Sequence, residues 1–257
     1  MTRPTPEPPP DAPARFGDRA ADYARYRPSY PPAAIDAILD ALGDPARLHA
    51  VDVGAGTGIS SRLLAGRGVR VTAIEPGDAM RAAGESSPHP GITWLDASAE
   101  ATTLPDACAD LVLVAQALHW FRRDEALGEF HRILRAGGRL ALVWNARDAS
   151  DPMTAGYIRA ILDAGGEHPC ERREFAAETV HEGGLFTPPR VLKVPNEQRL
   201  DLPALIGRAM SASYTPKDGE RGASVRRALT GLHERYRDAE GLVALRYETR
   251  VYISSRV

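Results

Sequence analysis

Short apolar runs alternate with amphipathic helical stretches through the centre of the chain, a pattern typical of parallel strands with helices on both faces of the sheet. One of these runs, LVLVA, is wholly apolar, as expected of a strand buried on both faces. Because crossovers between parallel strands are right-handed, the alternation predicts a doubly wound α/β sheet. The predicted strands are 49–53, 69–74, 92–96, 111–115 and 139–144, and the helices between them are 59–65, 78–84 and 123–134.

The segments on either side of this block add further elements. An apolar-periodic stretch ended by Gly43 predicts a helix over 33–42. A weaker pattern predicts a strand near 190–200. The last segment, 247–256, alternates sides and has no helix after it, so we expect it to join the edge of the sheet as an antiparallel strand. The fold class expected is therefore a mainly parallel, seven-stranded, Rossmann-like sheet with helices on both faces and an antiparallel last strand.

The domain organisation follows from changes in composition. Residues 1–14 carry six prolines and almost nothing to bury, which predicts a disordered tail. The length of the remainder, 15–257, fits one large domain. Within it, the strand-helix rhythm breaks after Asn145, and the helical segment 146–225 is expected to form a lid that defines substrate specificity.

Three alternating glycines follow the first strand, in the run VDVGAGTGIS at residues 51–60. Glycine lacks the Cβ that would hold the backbone away from a ligand, and the helix that follows presents unpaired N–H donors. Glu75 ends the second strand, where its carboxylate can accept two hydrogen bonds from a ribose diol. These features predict a cofactor that contains adenosine.

Two other interpretations of the glycine loop deserve comparison. One is a tight turn without a ligand, and the other is a nicotinamide dinucleotide site. The dinucleotide site favours G-x-G-x-x-G, whereas Gly54, Gly56 and Gly58 form G-x-G-x-G. Asp52 lies two residues before the first glycine. Its carboxylate can accept from loop amides or from a cationic amino group, but it would repel a pyrophosphate. The site thus favours an adenosine ligand that carries an ammonium.

With these residues, the sequence resembles the class I S-adenosylmethionine-dependent methyltransferases. The resemblance covers about 15–145, and it lies in VDVGAGTG, in Glu75-Pro76, in the run from Ser98 to Asp106 and in HRILRAGGRLALVW at 131–144. A narrower resemblance, to small-molecule enzymes like the trans-aconitate methyltransferases, lies in Tyr23 with Arg27-Pro28, in His119-Trp120 and in the ending YETRVYISSR.

The resemblance implies roles for residues at the cofactor. The glycine loop would line the methionine and ribose, Glu75 would hold the ribose hydroxyls, and Pro76 with Met80 would cover the ribose and the adenine edge. The run that begins at Ser98 would cap the adenine, with Ala99 and Glu100 in contact with it. Tyr23 and Arg27 are candidates to hold the cofactor carboxylate, although Arg27 could equally be a solvated helix charge. The full set predicted to contact S-adenosylmethionine is Tyr23, Arg27, Asp52, Gly54, Ala55, Gly56, Thr57, Glu75, Pro76, Met80, Ser98, Ala99, Glu100 and Gln116.

Methyl transfer from a sulfonium is an in-line displacement that requires mainly orientation and a dry pocket. A base is needed only where the acceptor is an un-ionised hydroxyl or an ammonium. His119, just past the fourth strand, is the predicted catalytic base. The alternative is a histidine that packs beside Trp120 and Phe121. An aspartate or tyrosine of the lid could also serve as the base.

Composition narrows the possible partners. The net charge of −2 provides no basic field for nucleic acid, and AQALHW after the fourth strand lacks the turn of enzymes that methylate base amines. The two cysteines, Cys108 and Cys170, show no pairing pattern or metal-ligand spacing, which fits a reducing cytoplasm. No long apolar run or signal sequence suggests a membrane.

We therefore expect a cytoplasmic methyltransferase, monomeric or homodimeric, that acts on O, N or C of a small molecule and uses no metal. A nucleic-acid or protein methyltransferase and a non-catalytic cofactor-binding module are the alternatives, and a dehydrogenase is a more distant one.

Overall fold

A computed structural model describes residues 25–165, 176–212 and 215–257. Tyr23, Cys170 and the predicted tail at 1–14 lie outside the described residues. The strands are β1 (His49–Val53), β2 (Arg70–Ile74), β3 (Ile92–Leu95), β4 (Ala109–Ala115), β5 (Leu134–Arg147), β6 (Arg190–Leu200) and β7 (Val243–Ser255). The helices in this part of the chain are α1 (Pro32–Leu39), α2 (Ile59–Ala65), α3 (Asp78–Glu85), α4 (Arg123–Ile133), α5 (Pro152–Gly165), α6 (Leu202–Met210) and α7 (Gly219–Tyr236).

All seven strands belong to one sheet, in the order β3-β2-β1-β4-β5-β7-β6. The first five strands are parallel to one another, and β7 is antiparallel to both β5 and β6. The order reverses between β1 and β4, and ligands bind open α/β sheets at such a point, outside the carboxyl ends of the strands. The predicted doubly wound, mainly parallel fold with an antiparallel last strand is confirmed.

The prediction that the last strand lies at the edge of the sheet is wrong. Strand β7 lies between β5 and β6, and β6 forms the edge. The burial of the two strands explains the arrangement. Most of β7 is buried, whereas β6 exposes every second residue, among them Lys193, Pro195 and Glu197. Proline and charged side chains are tolerated on an edge strand because its outer backbone groups face solvent.

Predicted and observed bounds differ mainly at the ends of elements. Helix α1 ends at Leu39, three residues before the predicted end, and Ala41 has a positive φ of 60°. Strand β5 begins at Leu134 and continues to Arg147, beyond the predicted 139–144. Its added residues pair with β4 at one end and with β7 at the other, contacts that local periodicity does not reveal.

Three apolar clusters support the sheet. One face carries α1 and α2, and the other carries α4 together with Phe186. The third cluster joins α5, α6 and α7 to the ends of β6 and β7, with Tyr157 at its buried centre. These helices occupy much of the predicted lid, but β6, which also falls within 146–225, belongs to the sheet. None of the helices in the described part of the chain has the length and apolar character needed to cross a membrane.

Candidate active site

The glycine loop lies flat at the carboxyl end of β1. The backbone N–H groups of Gly54 and Ala55 both donate to the Ile74 carbonyl of β2, each at 2.9 Å. Gly54, Gly56 and Gly58 have φ values of 69°, 58° and 77°, which side chains rarely permit. A Cβ on Gly54 would lie 2.6 Å from the Ala117 Cβ, so the segment after β4 packs directly against the loop.

Glu75 connects β2 to this loop. Its Oε2 accepts from the Gly56 N–H at 2.8 Å, and its Oε1 accepts from the Gly77 N–H at 2.9 Å. Burial raises the pKa of the Glu75 carboxyl, and the two backbone hydrogen bonds oppose that shift. An ionised carboxylate has about four acceptor sites, so each oxygen can still accept from a sugar hydroxyl. The carboxylate that is predicted to hold the ribose is thus fixed beside the glycine loop, and its oxygens keep free acceptor sites.

Asp52 is fully buried beneath the loop. Its Oδ2 accepts from the Ser60 hydroxyl at 2.7 Å and from the Ser61 hydroxyl at 2.5 Å. Among the described residues this carboxylate accepts from the two serines and not from a loop amide, so of the two partners that the sequence left open, the cationic amino group stays a prediction. The two serines occupy the first turn of α2. The Oδ1 atom of Asp52 has no hydrogen-bond partner among the described residues. Burial raises the pKa of Asp52 to about 6.

Pro76 and Met80 begin the segment beyond Glu75. Pro76 is exposed, whereas Met80 on α3 is buried. Arg81, which sequence reasoning missed, donates to the Glu75 carbonyl at 2.7 Å and lies 3.3 Å from a carboxylate oxygen of Asp96. These contacts draw α3 and the end of β3 toward the predicted ribose side. The one local signal is an arginine three residues after Asp78, spacing that allows a helical ion pair.

The predicted adenine segment follows β3. Ser98 forms an isolated bridge with Ala101, and Ala99 is buried. Glu100 accepts at 2.7 Å from the backbone N–H of Arg122, just after the turn that contains His119. The Glu100 side chain thus ties this segment to the chain that follows β4. Contact with adenine remains a prediction for all three residues, Ser98, Ala99 and Glu100.

Gln116 and His119 lie past the end of β4. Gln116 has a φ of 60°, uncommon for a residue with a side chain, while its N–H donates to the Val143 carbonyl at 2.9 Å. His119 belongs to a 3₁₀ turn, Leu118–Trp120, and is half-buried. Its ring centroid is 4.8 Å from Trp120 and 6.2 Å from Trp144. The histidine thus has aromatic packing partners, and its role as a base remains a prediction.

The outer end of the loop is braced by two side chains that the sequence did not identify. Arg62 donates to the Thr57 carbonyl at 2.7 Å. The Trp94 ring fits against two glycines, since a Cβ would lie 2.9 Å from it on Gly58 and 2.2 Å from it on Gly84. A glycine inside a predicted helix often marks such a close approach, so Gly84 was the available signal.

Of the two residues predicted to hold the cofactor carboxylate, only Arg27 is described, and it is half-buried. It lies in the segment before α1. Among the described residues, no group of three or more His, Cys, Asp and Glu side chains is placed to hold a metal ion.

Comparison with known proteins identifies the class to which this arrangement belongs. Residues 51–142 match the family described as "Methyltransferase domain". An uncharacterized methyltransferase of Mycobacterium tuberculosis is 44% identical over 120 residues, which are 45% of this chain and 46% of that protein. A ubiquinone/menaquinone biosynthesis C-methyltransferase of Rubrivivax gelatinosus is 38% identical over 92 residues, 35% of this chain and 37% of that protein. The match thus spans less than half the length of these curated relatives.

A solved structure extends the comparison over most of the fold. A proposed type II methyltransferase of Anaeromyxobacter dehalogenans has 26% identity and a TM-score of 0.62, and the match covers 90% of this chain and 97% of that chain. Residues 51–142 therefore match a methyltransferase domain, and most of the chain shares the fold of a solved methyltransferase; these findings support a class I S-adenosylmethionine-dependent methyltransferase, with S-adenosylmethionine as the cofactor. The narrower likeness to the trans-aconitate subgroup remains a prediction.

Proposed function

We propose that this chain transfers the methyl group of S-adenosylmethionine to O, N or C of a small organic molecule in the cytoplasm. The observation that carries the proposal is Glu75. Its carboxylate is held by backbone donors of Gly56 and Gly77, and both oxygens keep acceptor capacity at the rim of the sheet. A carboxylate in this position suits a ribose diol.

The residues around the loop fit a cationic cofactor. When bound, S-adenosylmethionine supplies a methyl group already activated on a sulfonium. Gly54 and Gly56 would let the backbone approach it, and Glu75 would hold the ribose. Asp52 adds a buried carboxyl oxygen without a hydrogen-bond partner among the described residues, directly beneath the loop. The protein groups would thus orient the cofactor and exclude water, which supplies most of the catalysis that such a displacement requires.

The acceptor side is supported by the aromatic group at the rim. We propose that His119 removes a proton where the acceptor needs it, and that Trp120 and Trp144 present flat faces to the acceptor or the sulfonium. Helices α5, α6 and α7 would form the lid. A relative named for ubiquinone/menaquinone biosynthesis supports a small-molecule acceptor. The net charge of −2 argues against nucleic acid.

Calorimetry with S-adenosylhomocysteine and with NAD tests the cofactor assignment. We expect binding of S-adenosylhomocysteine and none of NAD. Glu75→Ala should weaken binding by about 2–3 kcal/mol, the usual loss for a hydrogen bond to a charged group, or roughly 30- to 150-fold. Glu85→Ala is the matched control, because it removes an exposed carboxylate at the end of α3, the helix that follows Glu75. Equal affinity of the two variants would show that the ribose is held elsewhere.

Turnover separates an enzyme from a binding module. The protein is incubated with cofactor labelled on the methyl group and with pools of metabolites, and label in each product is counted. Transfer to a small molecule would support the proposal. Cofactor binding with no transfer to any pool, nucleic acid or protein would favour the non-catalytic module, and label in nucleic acid or protein would favour the other alternative.

A further inference from the structure

One face of the antiparallel end of the sheet carries a row of polar side chains, although it lies next to an apolar core. Asn196 and Gln198 are two residues apart on β6 and therefore point to the same face. Asn145, near the end of β5, lies opposite Thr249 of β7, which in turn pairs with Val194 of β6. We call Asn145, Asn196 and Gln198 the amide stripe.

Two members of the stripe converge on one backbone carbonyl. The Asn145 and Asn196 amides donate to the Ser29 carbonyl, at 3.2 and 2.9 Å. Asn196 also donates to the Asn145 side-chain oxygen at 3.2 Å, and the buried Thr249 hydroxyl donates to the same oxygen at 2.5 Å. Because Asn145 is only 8% exposed, these bonds fix its amide orientation, and Ser29 is held by two donors from different strands.

The third member holds the chain three residues earlier. The Gln198 amide donates to the Tyr26 carbonyl at 2.9 Å, and its oxygen accepts from the Tyr247 hydroxyl at 3.4 Å. The Tyr26 ring packs on Gly207 of α6, where a Cβ would lie 2.4 Å from the ring. The segment before α1 is therefore tied by hydrogen bonds to β6 and by packing to α6.

Both of these carbonyls flank Arg27-Pro28. A residue before proline is restricted to extended backbone, so fixing the carbonyls of Tyr26 and Ser29 leaves Arg27 little freedom. The stripe lies at the carboxyl end of β5, the same edge of the sheet as Glu75 and the glycine loop. We propose that the amide stripe positions Arg27 at the cofactor, so that strands after the cofactor motifs complete the cofactor site. This inference rests on the proposed function.

The test compares three readouts in the full-length protein. The variants are Gln198→Ala, Asn196→Ala/Gln198→Ala and Arg27→Ala. Glu197→Ala is the matched control, since Glu197 lies between the two amides on the exposed, opposite face of β6. Hydrogen exchange is measured without ligand in a peptide that covers 25–31. Calorimetry gives the Kd for S-adenosylhomocysteine, and thermal unfolding gives the overall stability.

We expect faster exchange in 25–31 for both stripe variants and a Kd for S-adenosylhomocysteine about tenfold higher for the double variant, in line with the loss of the two neutral hydrogen bonds that reach the carbonyls of Tyr26 and Ser29. In the Arg27→Ala background the same two substitutions should change the Kd less than twofold, because their effect is transmitted through Arg27. The single variant Gln198→Ala, which loses only one of the two bonds to the 25–31 backbone, keeps the test valid where the double variant does not fold.

Several outcomes would overturn the positioning role. They are unchanged exchange, a Kd equal to that of Glu197→Ala, or a loss of affinity that persists without Arg27. A stripe that is only structural would lower the melting temperature without changing the Kd. Failure of the unmodified protein to bind S-adenosylhomocysteine would instead overturn the proposed function, and the positioning role with it. Normal binding by the unmodified protein with insensitive stripe variants would overturn the positioning role alone.

Discussion

The buried carboxyl of Asp52 should make the stability of the protein depend on pH in a specific way. Burial without full hydrogen bonding raises its pKa from 3.8 to about 6. Between these two pH values the folded state binds more protons than the unfolded state, so the free energy of unfolding falls as pH rises from about 4 through 6. A difference of about two pH units corresponds to about 3 kcal/mol, the full penalty for ionised Asp52 at neutral pH.

Asp52→Asn removes the ionisation and keeps an oxygen that can accept from Ser60 and Ser61. The free energy of unfolding of this variant, relative to the unmodified protein, should therefore increase by about 1.4 kcal/mol between pH 5.0 and pH 7.5 and change little at higher pH. Urea denaturation at each pH, followed by tryptophan fluorescence, measures the difference. Asp36→Asn controls for net charge, because it removes a negative charge at an exposed position on α1. A difference that stays constant between pH 5.0 and 7.5 would refute the reasoning.

Three further predictions concern the loop, its brace and the base. Gly54→Ala should abolish calorimetric binding of S-adenosylhomocysteine, because its Cβ would collide with the segment after β4 and its φ of 69° disfavours alanine; retained binding would contradict the predicted close packing. Gly84→Ala should lower the free energy of unfolding by about 1–3 kcal/mol through overpacking against Trp94. Gly128 is a helical glycine with open space around it, so Gly128→Ala should raise the free energy of unfolding by about 0.5–1 kcal/mol. Equal effects of Gly84→Ala and Gly128→Ala would refute the packing explanation. His119→Ala should lower kcat about 100-fold without changing the Kd for S-adenosylhomocysteine, and unchanged kcat would exclude a general base there.

The arrangement of the glycine loop and Glu75 could be predicted because its signals are local. The glycine spacing that requires left-handed backbone and the acidic residue at the end of the next strand are both visible within 25 residues of sequence. The structure places Gly56 and Glu75 in direct hydrogen-bond contact. Such features are fixed by steric limits on φ and by the order of elements in a βαβ unit, which need no knowledge of the rest of the chain.

Other parts of the site could not be predicted, since they depend on residues far apart in sequence. Periodicity alone does not show that Trp94 fills the space left by Gly58 and Gly84. The serines that hold Asp52 are near in sequence, yet a choice between them and the loop amides depends on how α2 docks on the sheet.

By itself, the sequence determined the strand-helix rhythm, the doubly wound sheet and the type of cofactor, because each arises from short-range patterning. Only the tertiary structure decided that β7 lies inside the sheet and β6 at its edge, and that Asn196 and Gln198 reach the segment before α1. Strand order and contacts across some 170 residues depend on which surfaces bury together when the whole chain folds. Alternation within one strand shows which side is apolar, but not which neighbour covers it.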